Sequence, residues 1–177
     1  MEEATISIRA LEPTDIDLLY KWENDPEVWH VGNTIAPLSR FVLEQYLVNS
    51  HEDIFSARQL RLMIEYNTAG ADAVPVGSID LFEFEPLHRR AGIGILIAKE
   101  HRHKGYAQQA LELMLSYCYN TLSLHQVFCN IEADNTESIR LFTKLGFVQC
   151  GYKKQWLWRK QEWIDEIMYQ HFDNQPL

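Results

Sequence analysis

The chain has 177 residues, 46% of them apolar and 12% aromatic, which is enough to bury the core of a globular domain of ordinary size. A formal net charge of −9 argues against a general nucleic-acid binder, which is usually basic, and no apolar run reaches the roughly 18–20 residues of a membrane helix. Three scattered cysteines without CxxC or His/Cys ligand spacing argue against zinc, and the N-terminus lacks the basic start and apolar run of a secretory signal, so a cytoplasmic protein with no membrane or nucleic-acid partner and no metal is expected.

Residues 6–11 alternate and read as a strand. Residues 13–17 open a helix, with Thr14 as N-cap and Asp17 as its capping-box partner; the helix passes through Leu18, Leu19 and Trp22 to about Asn24, where Asp25-Pro26 stops it. Residues 27–37, with Trp29 and His30, read as irregular chain crossing a cleft. Ser39 opens a second helix carrying Phe41, Val42, Gln45, Tyr46 and Leu47. Residues 56–66 and 74–84 form a hairpin across the turn chemistry of residues 67–72. A strand at 90–98, a helix at 107–120 and a strand at 126–132 follow. Asn135 opens the next helix, and Gly146 ends it in the left-handed position, with Phe142 and Phe147 placed for the accompanying apolar contact. Residues 153–158 and 163–169 close as an antiparallel pair. No linker, repeat or low-complexity segment divides the chain, so residues 1–177 are expected to form one domain.

The richest stretch chemically is 93–109: an apolar strand, a basic loop of Arg102, His103, Lys104 and Gly105, and a helix whose apolar face is Ala107, Ala110, Leu111, Met114, Tyr117 and Cys118. Unpartnered N–H groups, the positive end of the helix dipole and three side-chain cations together suit a phosphate or pyrophosphate. Neither GxxxxGK[ST] nor GxGxxG is present. A basic helix cap without any ligand is the plainer alternative, and the loop alone does not separate the two.

Arg102-x-x-Gly105-x-Ala107 resembles the acyl-CoA pyrophosphate loop of the GCN5-related N-acetyltransferases. The resemblance extends to Asn24-Asp-Pro-Glu-Val28, Gly77-Ser-Ile-Asp-Leu81, His88-Arg-Arg-Ala91 and Asn135-x-x-Ser138-x-x-x-Phe-x-Lys-Leu-Gly-Phe147, and to the element order β-α-α-β-β-β-α-β-α-β-β. Within that family the chain is similar to the ribosomal-protein and the spermidine or diamine N-acetyltransferases, and leans toward the latter. The implied fold is α+β, a mixed and mostly antiparallel sheet flanked by helices, with splayed strands holding CoA. The implied activity is acetyl transfer from acetyl-CoA to a primary amine, a polyamine-like small amine or a protein N-terminus, by direct attack in a ternary complex. Pyrophosphate would lie on N–H groups from Arg102 through His103, Lys104, Gly105 and Tyr106 to Ala107. The pantetheine arm would pair with main chain of Leu96 and Ile97 where the strands at Leu96 and Asn130 part, and an amide near Leu96 would polarise the thioester carbonyl. Asn135 matches a position that contacts the cofactor arm, and is equally a plain N-cap.

Two positions depart from the family pattern. Phe142 stands where many relatives have a tyrosine acid, and Gly92 where spermidine-type relatives carry a glutamate. Ser138 falls where some ribosomal-protein relatives support the leaving thiolate, and is also an ordinary first-turn serine; a thiol pKa of about 8.5 lets water serve instead. For the base, Asp80, Glu83 and Glu85 remain, with Glu83 first as the carboxylate matched in spermidine-type relatives. His88 either relays a proton through water or pins the bend before the next strand. Asp25 and Glu27 either attract a cationic substrate or cap and stop the first helix. Trp22, Trp29, Trp156 and Trp158 either line a pocket or belong to the core. Phe142 and Gly92 leave open a second class, a CoA-binding regulatory module without turnover. The sequence does not reveal the oligomeric state, and a homo-oligomer stays open.

Overall fold

In the computed structural model, which describes residues 5–29, 36–159 and 161–173, the alternating segments form one seven-stranded sheet in the order β1-β2-β3-β4-β5-β7-β6. The strands are β1 (Thr5–Ala10), β2 (Leu60–Asn67), β3 (Val74–Glu85), β4 (Arg90–Ile97), β5 (Gln126–Glu132), β6 (Val148–Arg159) and β7 (Glu162–Phe172). The helices are α1 (Ile16–Glu23), α2 (Arg40–Asn49), α3 (Ile54–Ala57), α4 (Tyr106–Ser116) and α5 (Thr136–Lys144). Every neighbouring pair is antiparallel except β4 with β5, which the α4 crossover makes parallel.

That parallel pair is where the sheet opens. β4 and β5 are in register only from Arg90, Ala91 and Gly92 to Gln126, Val127 and Phe128. Beyond this β4 stays on β3 as far as Ile97, and β5 stays on β7 as far as Glu132, so a gap widens between them. One face of the sheet is closed by α4, whose Ala110, Leu111 and Met114 pack with Ile79, Leu81, Ile93 and Val127. The smaller cluster of Leu19, Trp22, Met63 and Ala98 lies under α1. Gly146 has φ +89°; its N–H donates to the Thr143 carbonyl and that of Phe147 to the Phe142 carbonyl, both at 3.1 Å. Phe142 meets Phe147 edge-on at 4.9 Å, so both the Schellman cap and its apolar contact are formed.

Several local expectations give way. The first helix is entered through a 3₁₀ turn, Pro13–Asp15, closed by Asp15 and not by Thr14 with Asp17. The Asp15 carboxylate accepts from the Glu12 amide at 2.8 Å and from Arg9 at 2.7 and 2.8 Å. Burial raises the Asp15 carboxyl, but the bonds from Arg9 and the Glu12 amide outweigh it and hold it below the usual carboxylate range. The second strand starts at Leu60 and not at residue 56, because Asp53 caps α3 by accepting from the amides of Phe55 and Ser56. After Ser116 the fourth helix widens into a π turn, Tyr117–Thr121. Trp156 and Trp158 are exposed, not core, as is Trp163 of β7 beside Trp158. Cys118 and Cys129 are buried and Cys150 is exposed, all three as free thiols. His30, with residues 31–35 of the expected cleft-crossing segment, lies outside the described residues. Among the described residues no helix is long and apolar enough to cross a membrane.

Candidate active site

Between the end of β4 and the start of α4 the chain makes two left-handed turns, at His103 (φ +60°) and Gly105 (φ +80°). The amides of His103, Lys104, Gly105, Tyr106 and Ala107 have no acceptor among the described residues. A Cβ built on Gly105 would meet nothing within 4 Å, so the turn faces open space and is not filled by its own neighbours. A cavity of about 430 Å³ opens there. His101, Arg102, His103, Gly105, Tyr106 and Ala107 line one side and Arg140, Leu141 and Lys144 of α5 the other. Convergent amides, a helix N-terminus and cations suit a diphosphate. Lys104 is not in the lining; its ammonium lies 6.0 Å from the Tyr106 ring.

The ladder decides which main-chain groups of β4 face the gap. The Ala98 amide donates to the Val76 carbonyl on the β3 side at 2.9 Å, while the Arg89 carbonyl accepts from His125 and Gln126 on the β5 side. Antiparallel bonding alternates, so even-numbered residues bond to β3 and odd-numbered ones turn toward β5. Leu96, opposite Ser78, is therefore committed to β3. Its amide does not face the gap, contrary to the expectation for a group that pairs with a cofactor arm or polarises a carbonyl; the amide and carbonyl of Ile95 do. Ile97 does face the gap, and its carbonyl accepts from Arg102 Nε at 3.1 Å. Strand parity needs a known partner and register, so nothing in the local sequence picks out Ile95. Leu96 still contributes its side chain to the site.

A second cavity, of about 510 Å³, lies toward the other end of the gap, and Ile95, Leu96, Asn135 and Ser138 line both. Its walls come from α1 (Trp22, Glu23), β2 (Arg61), β3 (Ser78, Asp80, Phe82, Glu83), β5 (Asn130, Glu132), α5 (Phe142), β6 (Leu157) and β7 (Glu166). Arg61 reaches Glu23 at 2.5 Å and Asp80 at 2.5 and 3.2 Å, beneath the Tyr46 ring at 5.5 Å. Glu132 pairs with Arg159 at 3.1 Å and Glu166 with Lys153 at 2.6 Å; Lys153 also reaches Asn130 Oδ1 at 3.4 Å. Glu83 has no ion-pair partner among the described residues. It sits at a bulge between Phe82 and Glu85, with φ +48°. Strict alternation would turn it away from Phe82, and the bulge brings it to the same cavity. Burial pushes the Tyr46 phenol and the Cys129 thiol up, so neither ionises near neutral pH.

Ser138 lies one turn into α5 with its amide capped by Asn135 Oδ1 at 3.1 Å, so Asn135 is an N-cap as well as a lining residue of both cavities. Phe142 is buried at the cavity floor. Of the other carboxylates weighed as base, Asp80 is held by Arg61, and Glu85 lies outside the lining, 3.6 Å from Arg58. Asp25 accepts from the Glu27 amide at 2.9 Å and Glu27 pairs with Lys99 at 2.8 Å, both outside the cavities. His88 is exposed and also lies outside them. Trp22 and Trp29 line the cavity, whereas Trp156 and Trp158 do not.

A sheet parted at its parallel pair, with a basic, amide-lined turn at one end and a cavity bearing five carboxylates at the other, suits a transferase that takes its group from a phosphate-bearing carrier. A family model described as "Acetyltransferase (GNAT) domain" matches residues 5–148. Spermidine N(1)-acetyltransferase of Vibrio cholerae serotype O1 is 27% identical over 147 residues, 83% of this chain and 81% of that one. A crystal structure of the Vibrio cholerae spermidine N-acetyltransferase in complex with CoA and spermine has the same fold, at TM-score 0.83, 24% identity and 95% coverage of both chains. A dodecameric structure of the Vibrio cholerae enzyme gives TM-score 0.78 at 25% identity, covering 95% of this chain and 94% of that one. The chain belongs to the GNAT acetyltransferase family and is an acetyl-CoA-dependent N-acetyltransferase.

Proposed function

We propose that the protein, acting as one domain, acetylates a small primary amine of the polyamine kind in the acid-rich cavity. The observation that carries this is the continuity of the two cavities through Ile95, Leu96, Asn135 and Ser138. A carrier on the cradle would present its acyl end in a cavity with five carboxylates, four of them paired with Arg61, Lys153 and Arg159 and the fifth, Glu83, placed to receive an ammonium. The Vibrio cholerae relatives are spermidine acetyltransferases, which supports the same acceptor class.

Acetyl-CoA supplies the activated acetyl group. Amides from His103 to Ala107, with Arg102 and His103, would hold its diphosphate, and the main chain of Ile95 would align its arm. Glu83, without a cation among the described residues, takes the proton that an ammonium near pKa ~10 must lose before its nitrogen can attack. Ser138, reaching both cavities, donates a hydrogen bond to the departing sulfur. Phe142 excludes water and transfers no proton.

The protein is proposed to act in the reducing cytoplasm, as its three free thiols suit, and as a homo-oligomer. The exposed Trp156, Trp158 and Trp163 and the exposed Phe41, Val42 and Val48 of α2 are surfaces a second copy would cover. Thiol release from acetyl-CoA, measured against putrescine, spermidine and an N-terminal peptide amine, tests the function. Release with the polyamines is expected, and binding of CoA with no release for any amine would leave a regulatory module.

A further inference from the structure

Across the β3–β4 ladder Phe82 faces Gly92, and its ring fills the place of the missing side chain. A Cβ on Gly92 would stand 2.2 to 2.6 Å from three ring atoms. Phe128 holds the ring from another side, edge-on at 5.8 Å. An aromatic ring laid over a strand glycine is a stable arrangement, so no side chain fits at residue 92 while Phe82 stays. The wall beside Glu83 is thereby hydrocarbon, and Trp22, Val28, Trp29 and Leu157 extend it around the cavity.

The charges around the cavity are mostly spent within the protein. Of its five carboxylates, Glu23 and Asp80 share Arg61, Glu132 holds Arg159 and Glu166 holds Lys153. A second ammonium brought to Glu23 or Asp80 meets the Arg61 guanidinium, and like charge opposes it. Among the described residues one carboxylate of the lining, Glu83, is left without a cation and remains for one ammonium, next to the Phe82 ring for whatever that ammonium carries.

We propose that Phe82 is a specificity-determining residue and that the site acetylates singly charged primary amines with an apolar body, alkyl and arylalkyl amines, alongside polyamines. The proposal rests on the N-acetyltransferase function and extends its acceptor range. The substrate nitrogen forms the new C–N bond as the thioester C–S bond breaks. The ammonium's first proton passes to Glu83, and the proton released on amide formation ends on the thiol.

Hexylamine, 2-phenylethylamine and spermidine are compared by thiol release at saturating acetyl-CoA and by calorimetric Kd on the CoA-loaded protein. Wild type is expected to use hexylamine with a kcat/KM at least one-tenth that of spermidine. Phe82→Val should lower the hexylamine-to-spermidine ratio about tenfold, and weaken hexylamine binding by the same factor while spermidine's Kd holds, since the ring contacts hydrocarbon only. A merely structural role would depress both amines equally. Phe82→Leu, closer in volume, repeats the comparison should the valine variant fold poorly. A wild-type hexylamine value below one-tenth of spermidine's, or a ratio unchanged in the variants, overturns the proposal. If CoA binds and no amine is acetylated, the acetyltransferase function fails, and the Kd ratio alone decides the role of Phe82.

Discussion

Gly105→Glu separates the phosphate cradle from the fold. Residue 105 has φ +80°, which costs a non-glycine residue about 1–2 kcal/mol. Its Cβ meets no protein atom within 4 Å, so no steric cost is added. For a domain of this length the melting temperature should fall by roughly 2–8 °C, at about 2–4 °C per kcal/mol. Binding should suffer far more. The new carboxylate enters the space the amides face, displacing at least two charge-assisted hydrogen bonds of about 1.5–3 kcal/mol each. The loss of roughly 3–6 kcal/mol is about 10²–10⁴-fold in Kd. Titration calorimetry with CoA measures it, and thermal shift checks it independently. At CoA near 100 Kd the wild type gains about 2.7 kcal/mol of stability by mass action, and the variant should gain almost none. Gly105→Ala carries the same backbone cost without the charge and should fall between. A folded Gly105→Glu protein that binds CoA within threefold of wild type would refute the cradle.

Ser138→Ala should leave CoA affinity unchanged, because Asn135 caps the residue 138 amide and not its hydroxyl. It should lower kcat about tenfold, the worth of one hydrogen bond near 1.4 kcal/mol; unchanged turnover in a steady-state assay would remove Ser138 from the chemistry. Gly77→Ala places a Cβ 2.0 Å from the Leu96 carbonyl oxygen, a backbone atom that cannot swing aside. Urea unfolding should show a loss of at least ~2 kcal/mol, and wild-type stability would mean that β3 and β4 are not so close. Burial lowers the His171 imidazole below its ordinary 6.5, beside the Tyr119 hydroxyl at 2.6 Å. The unfolded chain then takes up a proton first as pH falls, so stability present above pH 6.5 is lost through that region and levels off below the folded pKa. Melting scans from pH 7.5 to 5.5 should show this slope, and His171→Gln should flatten it.

Much of the molecule was legible before any coordinate. Local chemistry set the strand at Gln126–Glu132, the Ser39 and Asn135 caps, the left-handed Gly146 and the basic loop around Gly105, because each depends on neighbours within a turn or on side-chain period. What failed depended on partners far along the chain. Asp15 took the first cap because Arg9 of β1, itself fixed by Glu65 of β2, could pair with it. Ile95 rather than Leu96 faces the gap because hydrogen-bond parity is fixed by β3. Glu83 joins the cavity lined by Asp80 and Phe82 because a bulge reverses its side, and a side chain at Gly92 would meet the Phe82 ring that lies over it. The sequence by itself determined the basic loop around Gly105, the helices and strands on either side of it and the family pattern they follow. Only the tertiary structure decided which residues share a cavity and which carboxylate is left without a cation among the described residues, since register and ion pairing are properties of strands that meet from distant parts of the chain.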